Sequence, residues 1–125
     1  MPRSKTDYQA LTTRQHATSA LVDDPPLGHL QALVLKKLHD LYPDAYGFKV
    51  LETLSLDAGV WLDTPDVYAS IRRLLAKELI RHTETRPQPG GPPVKIYKLE
   101  AAGRAALKAT AAHYRAVADN LDDNG

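Results

Sequence analysis

Three segments in fixed order between Val60 and Leu99 constrain what this chain can fold into more than anything else in it. The first is a short apolar run, Val60-Trp61-Leu62. The second reads Thr64-Pro65-Asp66-Val67-Tyr68-Ala69-Ser70-Ile71-Arg72-Arg73-Leu74. Asp63 or Thr64 caps a helix there, and Pro65 takes its first position, where a missing N–H costs nothing. That helix is expected to reach about Lys77. The third segment is a pair of β-like runs, Leu79–Thr85 and Val94–Leu99, flanking the stiff tip Arg86-Pro87-Gln88-Pro89-Gly90-Gly91-Pro92-Pro93. Two strands are too few for a free-standing sheet. The hairpin is therefore expected to pair with Val60–Leu62 in a three-stranded sheet that backs the helices.

Upstream, Asp23-Asp24-Pro25-Pro26 breaks the chain, because each proline disfavours helix in the residue before it. Leu27, Leu30, Val34, Leu35 and Leu38 then recur at helical spacing up to Leu41. A second helix is expected from about Ala45 to Leu56, with Tyr46, Val50, Leu51 and Leu54 inward. Gly47 in its first turn weakens it and suggests a close neighbour. An alanine-rich helix follows from about Ala101 to Asn120, in which Leu107, Ala111, Tyr114, Ala118 and Leu121 alternate at spacings of four and three. The reading is α+β, mainly helical: a winged helix-turn-helix with a long C-terminal dimerisation helix. Residues 1–24 are expected to form an arm or a short helix, 25–100 the winged-helix unit and 101–125 the dimerisation helix.

Bulk properties narrow the setting. A chain of 125 residues suits one domain. It has no cysteine, which fits a reducing compartment and removes cysteine metal sites. No apolar run approaches the roughly 20 residues of a membrane span, and the N-terminus lacks the apolar core of a signal peptide. A cytoplasmic protein without membrane contact is expected. The net charge of +1 argues nothing by itself, but its distribution does. Residues 64–98 carry seven basic and three acidic side chains, a net of +4, against −3 for the rest. A basic segment on a slightly acidic body suits a module that meets phosphate with one face.

Helical steps of 100° put Val67, Ile71, Leu74 and Leu75 on one side of the Arg-bearing helix, with Pro65, Ala69, Arg72, Arg73 and Ala76 opposite. Small residues beside two arginines let a helix sit deep in a DNA major groove about 12 Å wide. Arg72 and Arg73 then reach either base edges or phosphates. The competing reading is a solvated face with Asp66 as partner. Thr64 and Ser70 are candidates for phosphate hydrogen bonds, and Arg86 and Lys95 for phosphate contacts from the hairpin. The tip prolines also fit a hairpin merely protected against edge pairing.

These residues resemble PadR-like transcriptional regulators, a group of prokaryotic winged-helix repressors. Tyr46-Gly47-Phe48-Lys49-Val50 is similar to the family's Gly-Tyr-Glu-Ile segment, and Thr64–Leu74 to its recognition helix. Gly91–Leu99 with Gly103-Arg104 is similar to its wing strand entering the last helix. The resemblance covers residues 27–107. It implies a homodimer that binds double-stranded DNA at a roughly palindromic operator and represses transcription. It also implies release by a small aromatic or drug-like effector. On that template Tyr68, Arg72, Arg73 and Lys95 match DNA-contacting positions. The candidate DNA face is thus Thr64, Pro65, Tyr68, Ala69, Arg72, Arg73, Arg86 and Lys95. The sequence departs from the family at Val94, where Arg is common, and at Glu78, where a helix-ending Gly is common. Glu100 replaces a Thr cap, and Leu75 an acidic residue.

Chemistry is not in sight. His16, His29, His39, His82 and His113 lack metal-ligand spacing, and Gly90-Gly91 lies among prolines rather than between strand and helix. No metal, no cofactor and no enzymatic activity are expected. Trp61, the only tryptophan, either packs in the core or lines an effector pocket. The alternative to a DNA-binding regulator is a winged-helix module that binds protein without touching DNA.

Overall fold

The structure, a computed structural model, describes residues 26–124, so the expectation for residues 1–24 lies outside it. Helices α1 (His29–Leu41), α2 (Gly47–Ala58) and α3 (Thr64–Ala76) are followed by strands β1 (Ile80–Gln88) and β2 (Gly91–Leu99) and by helix α4 (Ala101–Asn124). Helix α1 is central and packs on α2, α3, β2 and α4. The apolar periodicity of the three short helices converges on one core. Val34, Leu35 and Leu38 of α1, Val50 and Leu51 of α2, and Val67, Ile71 and Leu74 of α3 are all buried. Ile80, Ile96, Tyr97 and Leu99 extend that core into the hairpin, and Leu27 closes it ahead of α1.

The sheet differs from expectation. Among the described residues it has two antiparallel strands, and Val60–Leu62 is not one of them. The Leu62 N–H donates instead to the buried Ser55 hydroxyl at 2.9 Å, which removes it from any ladder. Val60 and Trp61 stay exposed. The strands are also longer than the β-like runs, since pairing continues through the prolines to Gln88 opposite Gly91. Register shifts between His82 and Glu84 and between Arg86 and Gln88 absorb the extra residues, so Pro87 owes no ladder hydrogen bond. The turn itself is Pro89-Gly90, with Gly90 at φ +73°, where only glycine is at ease.

Both ends of α3 follow their sequence signals. The Asp63 carboxylate accepts from the Asp66 N–H at 3.2 Å, and Pro65 sits in the first turn. At the C-terminus the Leu79 N–H donates to Leu74 O and the Glu78 N–H to Leu75 O, the paired bonds of a Schellman motif. Glu78 occupies the left-handed position at φ 59°, which glycine would fill without strain. The chain then enters β1, and the Glu100 N–H returns to Leu79 O at 2.9 Å. Gly103 in the first turn of α4 lies so close to the Leu79 carbonyl that no side chain fits between them.

Candidate nucleic-acid interface

The α1–α2 connection, α3 and the hairpin enclose an open cleft. Its lining includes Tyr46, Gly47 and Phe48 from the start of α2, Tyr68, Ile71 and Arg72 from α3, and Gln88, Pro92, Pro93, Val94, Lys95 and Tyr97 from the hairpin. A cavity of about 870 Å³ lies between these walls. Gly47 is what lets the walls approach, since a Cβ built there would lie 2.5 Å from Tyr68 Cε1. Tyr68 and Tyr97 both line this cleft, and burial first, then the neighbouring Tyr68, hold the Tyr97 phenol above its ordinary pKa.

Arg72 and Lys95 thus reach one cleft from opposite walls. Neither side chain makes an ion pair or hydrogen bond among the described residues, and the same holds for Arg73. The pairing with Asp66 that the competing reading required is not formed by either arginine. Pro65 is exposed and Ala69 half-buried, so the surface beside the arginines is shallow. Arg73 is exposed on α3 but lies outside the cleft lining, as do Thr64 and Pro65.

Two polar residues behave differently from the sequence expectation. Ser70 is buried at 1% exposure, so its hydroxyl faces the core and cannot meet a phosphate. Helical spacing alone leaves it ambiguous, because it borders both faces. Arg86 is the more consequential case. Its Nη1 donates to Asp44 Oδ1 at 2.8 Å, and its Nη2 donates to Pro43 O at 3.1 Å and to Glu84 Oε1 at 3.0 Å. These carboxylates, Asp44 first, raise its pKa further, and its charge is met before any ligand arrives. No spacing rule points to Asp44, which is 42 residues away in sequence.

Trp61 is 60% exposed and therefore not the core residue that its position in a supposed strand suggested. Its ring lies 6.3 Å from that of Phe48, and its indole N–H points to Thr64 Oγ1 at 3.4 Å. With Glu52, Ser55, Leu56, Gly59 and Val60 it lines a shallow cavity of about 470 Å³. Along α4, Leu107 is half-buried against the core, whereas Ala111 and Ala118 are exposed, Tyr114 is 43% exposed and Leu121 72%. The ring of Tyr114 meets His29 edge-on at 6.3 Å. Val117, absent from the expected seam, adds a further exposed apolar side chain to this half of the helix.

The solved structures that share this arrangement agree on one theme. A PadR-family transcriptional regulator from Eggerthella lenta matches with a TM-score of 0.62 at 25% identity, covering 90% of this chain and 95% of its own. The chain has the fold of PadR regulators. A PadR-family transcription regulator from Clostridium difficile matches this fold at 0.59 and 19% identity, over 77% of this chain and 97% of its own. A Streptococcus transcriptional regulator does so at 0.63 and 22%, over 75% and 89%. No family model matches the sequence, and the comparison with curated proteins gives no significant match. The PadR-like fold is therefore carried by structure rather than by overall sequence identity. Among the described residues, no helix is long and apolar enough to cross a membrane, and no cluster of acidic or histidine side chains could hold a metal.

Proposed function

We propose that this chain is a sequence-specific, DNA-binding transcriptional regulator acting as a repressor. One observation carries the reading. Arg72 and Lys95 face one cleft from opposite walls, and neither has an anionic partner among the described residues. A helix that presents small residues beside arginine suits a major groove, and a basic hairpin beside it suits the flanking backbone. Tyr68, Ala69, Arg72 and Arg73 form the groove-facing surface, Thr64 and Pro65 lie at the helix start beside a phosphate, and Lys95 contacts the backbone. The PadR-family neighbours are transcriptional regulators, which supports the same reading.

The working unit in this reading is a prokaryotic cytoplasmic homodimer joined through the exposed half of α4, with Ala111, Tyr114, Ala118 and Leu121 at the contact. Two half-sites then lie about one helical turn apart. A small aromatic effector fits beside Trp61, in the shallow cavity closed by Leu56 and Val60. Duplexes selected from a random pool provide the test, with binding followed by anisotropy as salt is raised from about 50 mM. Affinity should fall with a log–log slope near −0.9 per neutralised phosphate. A protein that selects no duplex at the lowest salt would instead be a winged-helix interaction module that binds protein through the same surface.

A further inference from the structure

A two-stranded hairpin has little independent stability and no fixed direction of its own. Among the described residues no third strand orients it, so what ties it to the helical body also aims it. The segment Pro43–Ala45, between α1 and α2, provides two such ties. The Tyr97 N–H donates to Ala45 O at 2.9 Å near the base of the hairpin. Further out, the Arg86 guanidinium donates to Asp44 Oδ1 at 2.8 Å and to Pro43 O at 3.1 Å, while Glu84 holds it from its own strand at 3.0 Å. In the ladder Arg86 stands opposite Val94 and Thr85 opposite Lys95, so Lys95 lies between the two ties.

We propose that Arg86 is a positioning residue. It latches the hairpin to Asp44 and Pro43 and so holds Lys95 across the cleft from Arg72; it does not itself neutralise a phosphate. The inference rests on the DNA-binding reading and gives one of its basic residues a different role. The geometry around the guanidinium supports that role, because a fork that already meets two carboxylates and a carbonyl has no net charge to offer. Exposed ion pairs contribute little to global stability, so the latch governs direction more than folding.

A latch and a phosphate contact predict opposite responses to losing Asp44. Binding of a selected duplex is measured by anisotropy for the wild type, Asp44→Ala, Arg86→Ala, Lys95→Ala and the double variant Arg86→Ala/Lys95→Ala, each checked for an unchanged melting curve. Asp44 and Arg86 are at the surface, so all are expected to fold. A latch predicts that Asp44→Ala and Arg86→Ala each weaken binding by about three- to tenfold. It also predicts that Arg86→Ala adds less than about twofold once Lys95 is gone, because both act through one contact. Tighter or unchanged binding by Asp44→Ala would overturn the proposal, as would losses that simply multiply in the double variant. Failure of the wild type to bind any duplex would be distinct, since it would remove the DNA-binding reading itself.

Discussion

Tyr68 lies across Gly47 so closely that a methyl group at that glycine would come within 2.5 Å of the ring. The close neighbour suggested by a glycine at the start of α2 is therefore the first outward-facing aromatic side chain of α3. The contacting atoms belong to the far end of a side chain that is 36% exposed, so the ring is able to swing away.

Gly47→Ala should consequently affect binding more than folding. Its stability is expected to stay within about 1 kcal/mol of wild type, since alanine is the better helix former and offsets part of the clash. Duplex affinity should drop as the displaced Tyr68 intrudes on the cleft. Parallel thermal melts and anisotropy titrations separate the two effects.

Arg72→Ala and Lys95→Ala should fail in different ways. Loss of Lys95 should weaken all duplexes alike and reduce the salt slope by about 0.9. Loss of Arg72 should cost about 1–3 kcal/mol on a selected sequence and relax base preference at one position. Selection repeated with each variant gives the answer: a sharp, unaltered preference after Arg72→Ala would place its guanidinium on the backbone.

Glu78 sits in a left-handed conformation at the end of α3. Glu78→Gly should stabilise the fold by about 0.5–1 kcal/mol, because the strain removed exceeds the chain entropy glycine adds. For a domain of this size that is a rise in melting temperature of roughly 2–8 °C. Calorimetry of the two proteins checks it, and an unchanged melting temperature would mean that the left-handed turn carries no strain.

The α4 seam divides at Leu107. That residue rests against the core, so Leu107→Asp should destabilise the fold by about 2 kcal/mol or more. Leu121 is mostly exposed, and Leu121→Asp should leave the melting of a subunit unchanged while shifting sedimentation towards monomer. Equal behaviour of the two variants would argue against a contact in the far half of the helix.

Much of the fold is legible in the residues themselves. Helices α1 to α3 are defined by apolar spacing and by local signals at Asp63, Pro65 and Tyr42-Pro43-Asp44, all within a few residues of the backbone they govern. The failures share a cause. Val60-Trp61-Leu62 has the composition of a strand, but strands need partners, and here Ser55 takes the Leu62 N–H. The tip prolines read as loop because they cannot donate, yet a two-stranded ribbon with shifted register leaves room for them. Arg86 reads as a basic tip residue because the two partners that tie it to the helical body, Pro43 and Asp44, are more than 40 positions away. Composition identifies the basic segment, and only the fold separates its free charges, Arg72, Arg73 and Lys95, from engaged ones such as Arg86.

The contact between Gly103 and the Leu79 carbonyl has a consequence at the other end of the molecule. It grips the first turn of α4 against the base of the hairpin, while about 32 Å of helix runs on from there. Two subunits joined along the far part of that rod would carry their DNA-reading helices at a separation dictated by its length. Adding or removing one turn beyond Thr110 would then move the half-sites by a corresponding step, making α4 the ruler against which an operator is measured.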